Sequence, residues 1–286
     1  MSDMSTSTKQ LFYWLTNMLN VVSIAVNFRT LVVIFFRKKS NAVTYGMVLS
    51  TVVVHLFYNI SSTVYTNYML FISQAKAWNH AAIFWSGSMM FCSSLSLVSL
   101  NICVVIDRIL AIERPINYGI RYKRRWFTVT VGIVVVVFIA NFIGYACAML
   151  DKPTQVQHFN GVVDKDVIAA FYLAKSILCA LNIPLTMLFV FRLRRFEKVV
   201  QSESRTMSES LKIANHIVLY QMAADIVVII LPTFATYTYN AIFNTTITTR
   251  VGSYPNTLYV LYTTFCAFLL VVKLKSPKSS IGISVT

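Results

Sequence analysis

Asp107 and Arg108 adjoin at the end of a long apolar run, in the stretch DRILAIERPINY that occupies 107–118. An arginine at the mouth of a helix bundle is costly unless it is paired, and the adjacent aspartate supplies a partner that can be exchanged for another when the bundle opens. The chemistry is that of an electrostatic switch. Pro115 lacks an amide proton and disfavours helical geometry at Arg114, so it ends the helix. Ile116 is then left as an apolar point in a strongly basic segment, the pattern of a docking contact. Two further charges stand inside apolar runs. Lys175 lies about two turns into its run and Asp225 near the middle of another, so their depths differ and a direct bridge is not expected. Lys175 either snorkels outward or meets an anionic ligand group, whereas Asp225 pairs with polar neighbours. Arg29 is expected to snorkel inward. No HExxH, GxSxG or paired intramembrane aspartates appear, so the residues give no basis for an enzyme, and neither a metal nor a cofactor is expected.

The elements that hold these residues follow from composition. Of 286 residues 57% are apolar and only 12% charged, and the charges cluster between apolar runs long enough to cross a bilayer, which takes roughly 20 helical residues. Seven such runs occur, at 11–36, 42–71, 81–112, 126–150, 167–193, 211–239 and 254–272. The fold class is an all-α membrane protein, a seven-transmembrane helix bundle. Its second span contains the polar stretch YNISSTVYTNY, whose hydroxyls and amides are expected to face neighbouring helices. Lys and Arg gather after the first, third, fifth and seventh spans, among them Arg37, Arg114, Arg124, Arg194, Arg205 and Lys273. The positive-inside tendency therefore puts the N-terminus outside and the C-terminus in the cytosol. This divides the chain into a short extracellular N-terminus (1–10), the membrane domain (11–272) and a short cytoplasmic tail (273–286). The formal charge of +15 reflects that topology and affinity for anionic lipid. With no basic soluble module, nucleic acid is excluded as a partner.

The stretch MSDMSTSTKQ lacks the basic start and cleavage site of a removable signal peptide, so the first span serves as the anchor. Of two N-x-S/T sequons, Asn59 falls inside a span and Asn244 in the outer loop between spans six and seven, where it is a candidate glycosylation site. The five cysteines all fall in spans and show no metal spacing, which favours buried single thiols.

At 107–118 the chain resembles the rhodopsin-like G-protein-coupled receptors, whose third span ends in D-R-Y-x-A-I-x-x-P-x-x-Y. Asp107, Arg108, Ala111, Ile112, Pro115 and Tyr118 match, and Ile109 replaces the tyrosine. The resemblance implies that Asp107 restrains Arg108 at rest, that Arg108 reaches a heterotrimeric G protein in the active state, and that Ile116 inserts into that partner. Asn27, Pro184 and Pro232 resemble landmarks of spans one, five and six. Other landmarks are missing: Thr51 or His55 stands where span two has an aspartate, Ile230 where span six has a tryptophan, and Lys212 near the place of an acidic partner. Span seven has no N-P-x-x-Y, and the outer cysteine pair is absent, its place falling near Ile83. The retained coupling end, with LNICVVIDRILAIERPINY and LYTTFCAFLL, resembles the nematode serpentine chemosensory receptors, class beta-chi. That implies a multi-pass protein of the plasma membrane in a sensory cell or cilium.

The same resemblance places a ligand pocket between spans three, five, six and seven. Met90, Phe91 and Ser94 lie on span three, Lys175 and Ser176 on span five, and Phe234 and Tyr237 just above Pro232 on span six. The pocket so composed is apolar with hydroxyls. Span three offers no carboxylate there, which argues against a monoamine and for another small organic ligand. A transporter or channel is the alternative, disfavoured by the odd span number, the absence of an internal repeat and only eight glycines. A non-signalling seven-span protein is the third reading.

Overall fold

A computed structural model describes residues 2–37, 46–72, 79–150, 159–202, 209–243 and 254–275, nearly all of them helical. Among the described residues seven helices are long and apolar enough to cross a membrane: Gln10–Ile34, Gly46–Phe71, His80–Glu113, Lys123–Cys147, Lys165–Val199, Ala214–Thr236 and Tyr254–Val272. We refer to them as spans one to seven. The bundle is therefore the seven-span, all-helical fold expected from the apolar runs. The helix that holds span one begins at Ser2, because no Gly or Pro separates the polar leading residues from the apolar run. The helix of span five continues to Ser202 for the same reason.

The bundle buries many polar side chains among its apolar core and turns mainly apolar ones outward. Val136, Met187 and Phe191 are exposed on the outside, while Asn20, Asn27, Asn59, Ser62 and Thr263 are buried. In a bilayer this arrangement leaves aliphatic side chains on lipid and lets buried hydroxyls and amides bond across helices or back to their own backbone. Span two follows the rule along YNISSTVYTNY. Ile60 and Val64 face out, whereas Tyr58 donates to Asn256 Oδ1 at 2.6 Å, Thr66 to Asn17 Oδ1 at 2.6 Å and Asn59 Nδ2 to Ser23 Oγ at 2.9 Å. Thr263 of span seven donates to Asn59 Oδ1 at 3.0 Å, and Asn20 Nδ2 to Ser62 Oγ at 3.0 Å. A polar seam thus joins spans one, two and seven. Asn27 lies one turn further along span one and donates to Ser23 O at 3.0 Å.

Span three is the axis. In its most apolar window 78% of residues are buried, against 11% for span four, and it packs on spans two, four and five. Span one closes the ring against spans two and seven. Span six is interrupted at Ile226–Ile230, where Leu231 N–H reaches back five residues to Ile226 O. The adjacent Pro232 has no N–H to give the helix ladder, which accounts for the widened turn.

The loop before span five is anchored without a disulfide. All five cysteines are free, and Cys147 is exposed at the end of span four, unlike the other four. Leu150 N–H donates to Val162 O and Asp164 N–H to Ala148 O, at 3.0 and 2.9 Å. Between these bonds Phe159 drops into the bundle and stacks on Phe91 with ring centres 4.8 Å apart.

Candidate functional site

At its C-terminal end the helix of span three stops at Glu113, and Arg114, ahead of Pro115, leaves helical geometry (φ −136°, ψ 63°). Pro115 then opens a single helical turn, Pro115–Asn117, which returns Tyr118 to the flank of span three ten residues after Arg108. Asp107 is fully buried and Arg108 nearly so. Arg108 Nε donates to Asp107 Oδ2 at 2.9 Å, and Nη2 bonds the same oxygen. Nη2 also donates to the Tyr118 hydroxyl at 3.1 Å, and that hydroxyl donates to Asp107 Oδ1 at 2.6 Å. Three side chains therefore form a closed ring in which both carboxylate oxygens are used. Burial pushes the Tyr118 phenol above its ordinary range, Asp107 adds to the rise, and Arg108 opposes it, so the hydroxyl stays protonated and available as a donor at neutral pH. Trp126 Nε1 donates to Cys103 O at 3.1 Å, tying span four to the same end. Glu113 pairs with Arg192 of span five at 3.3 Å.

Toward the other end, a narrow cleft with room for little more than a single water molecule lies between spans three, four and five. Phe91, Ser94 and Leu95 form one wall, Asn141 and Tyr145 the second, and Phe171, Tyr172 and Lys175 the third. The Lys175 amino group turns inward: it donates to Ser94 Oγ at 3.3 Å and lies 4.1 Å from the centre of the Tyr259 ring on span seven. A second cleft, scarcely roomier, separates spans six and seven beside Pro232, Thr236, Tyr254 and Tyr259.

Residues 4–276 match the family model described as serpentine type 7TM GPCR chemoreceptor Srbc. The chain belongs to that family. No match to a curated protein was found. Srbc is a nematode chemoreceptor family, so the protein is a chemosensory receptor of the G-protein-coupled type and a multi-pass membrane protein.

In this Srbc receptor the residues singled out from sequence are distributed unevenly. Phe91, Ser94 and Lys175 meet in the first cleft. Met90 is buried in the surrounding core but lines neither cleft. Ser176, one position round the helix from Lys175, spends its hydroxyl on Tyr172 O of its own helix at 2.9 Å. Phe234 is 38% exposed, because it lies about 200° round from Pro232 at 3.6 residues per turn and so leaves the face that Pro232 and Thr236 present to span seven. The side chains of Tyr237, Ile116 and Lys212, and all of Asn244, lie outside the described residues. Thr51 bonds Met47 O of its own helix at 3.0 Å, and His55 meets the Tyr262 ring edge-on.

Asp225 and Lys175 do not pair with each other. Asp225 is buried and accepts from Asn182 Nδ2 of span five at 2.5 Å. Asn101 of span three lies at its flank within electrostatic reach, though its amide nitrogen makes no hydrogen bond of good geometry. Cys179, one turn from Lys175 on span five, interacts with both charges. Sequence reasoning missed Asn182, Asn141, Phe159 and Tyr259. A lone amide in an apolar span was the available signal for Asn182 and Asn141, since it must turn inward. No local pattern marks Phe159 or Tyr259.

Proposed function

We propose that the chain binds a small organic ligand, not a monoamine, in the cleft between spans three, four and five, and activates a heterotrimeric G protein through Asp107, Arg108 and the segment Pro115–Tyr118. The observation that carries the reading is the ring of Asp107, Arg108 and Tyr118, at the end of span three in a chain of a chemoreceptor family. With both carboxylate oxygens occupied the arginine is held; opening the bundle would let it exchange its partners for groups on the G protein. In this reading the N-terminus is extracellular, the C-terminus cytosolic, and the receptor works at the plasma membrane of a sensory cell or cilium. Ile116 is the apolar docking point and Asn244 the glycosylation site of the last outer loop.

The absence of any acid on span three other than Asp107 and Glu113, both at its inner end, supports the exclusion of monoamines. The test is a G-protein activation reporter in cells expressing the chain, screened with small secreted metabolites. An active ligand should lose its signal in Arg108→Ala and Ile116→Asp at unchanged surface expression. Equal signalling by both variants would move the coupling site elsewhere, and solute uptake or current in proteoliposomes without a G protein would replace the receptor reading with transport.

A further inference from the structure

We infer that the outer cleft receives a compact organic anion, a monocarboxylate with an apolar body, whose carboxylate pairs with Lys175. The inference rests on the reading of this cleft as the ligand site and names the chemistry it selects. Lys175 belongs to a membrane-spanning helix, yet its amino group is directed at spans three and seven, with Ser94 Oγ at 3.3 Å and the Tyr259 ring at 4.1 Å. It does not snorkel. The ion pairs among the described residues are Arg108 with Asp107 and Arg192 with Glu113, and neither reaches Lys175. The nearest acid in depth, Asp225, is engaged by Asn182.

An ammonium group has three donors; a hydroxyl and an aromatic face answer two of them, the second weakly. A cation drawn out of water with so little compensation is expensive unless an anion joins it. The cleft is built to supply that place. The cleft shares Lys175 with Ser94, whose hydroxyl donates to Phe91 O at 2.8 Å, and with Asn141, whose Nδ2 donates to Val137 O at 2.6 Å, so the amino group is the donor left for an anion, and Phe91, Tyr145, Phe171 and Tyr172 form the aromatic walls. One cation without a guanidinium fork matches a single negative charge better than a phosphate, which favours bidentate arginine. The cleft holds little more than a water as it stands, so only a small molecule enters, and its entry must part the ring walls.

The test uses the full chain, purified into nanodiscs of zwitterionic lipid, with thermal unfolding as the binding readout. The probes are a homologous series of straight-chain monocarboxylates with benzoate, each set against its primary amide. Carboxylates should raise the melting temperature and amides of the same shape should not. Lys175→Met and Lys175→Gln should weaken carboxylate binding by at least about tenfold, while the unliganded variants melt at or above the unmodified protein because an uncompensated charge has gone. Lys175→Arg should retain part of the binding. Equal stabilisation by acid and amide, undiminished carboxylate binding in both neutral variants, or no stabilisation by any carboxylate at millimolar concentration would overturn the inference. The assay contains no G protein, so carboxylate binding without any reporter signal would defeat the coupling reading and leave this one standing. Ligand-driven signalling unaffected by Lys175→Met would do the reverse.

Discussion

Tyr118 has one hydroxyl and serves two partners with it. It donates to Asp107 and accepts from Arg108, so a single oxygen completes the ring that holds the arginine. Removing it leaves a buried carboxylate oxygen without its donor, an effect of about 1–3 kcal/mol. Tyr118→Phe should therefore lower the thermal stability of the purified receptor by that order and raise basal signalling in a ligand-free reporter assay, since the held state loses more than an opened one. Unchanged basal output would mean that Tyr118 packs against the pair without restraining it. The Arg108 guanidinium also lies 5.9 Å from the Tyr118 ring, a contact the phenylalanine keeps, so the variant isolates the hydroxyl. Asp225 shows the same economy deeper in the bundle: one amide, Asn182 Nδ2, holds a buried carboxylate in place.

Elements meet where small residues let them. A side chain at Gly87 on span three would put its Cβ 2.3 Å from the Phe159 ring; the glycine is what admits the loop's aromatic plug. Phe159 is stacked on Phe91 and meets Tyr145 edge-on, and both of those line the first cleft. Phe159 is thus fastened by ring packing to two residues of the cleft wall. Phe159→Ala should destabilise the receptor by about 3–5 kcal/mol. Gly87→Ala should destabilise it as well, and the double variant should be less impaired than the sum, because the alanine side chain then fills part of the space the ring has left. Additive melting-temperature losses in the three variants would show that the two residues do not share this space. Glu113 and Arg192 join spans three and five at the opposite end, so the helix that carries Lys175 is attached to the axis at both ends of the bundle.

For the whole molecule, the proposed extracellular N-terminus rests on the clustering of Lys and Arg at one end of the seven spans. Ser5→Cys and Ser279→Cys, introduced singly, should report this: an impermeant maleimide should label the first on intact cells and the second only after permeabilisation. The reverse pattern would invert the bundle and take the DRILAIERPINY segment away from the cytosol. The burial pattern is consistent with a bilayer on every side, since the exposed surface of span four is a nearly continuous run of Val and Ile.

The chain itself determined the number and limits of the spans, because about 20 apolar residues without charge have one stable arrangement in lipid. It also determined the pairing of Asp107 with Arg108 and the helix stop before Pro115, since these residues act on immediate neighbours. Tertiary structure decided what depends on long separations. It set which face of span six meets span seven, and so turned Phe234 away from both clefts. It assigned Asn182 to Asp225 across 43 residues, and brought Ser94 and Tyr259 to Lys175 from spans three and seven. An apolar helix reads much the same on all sides in sequence. Only packing selects the side chains that will face one another.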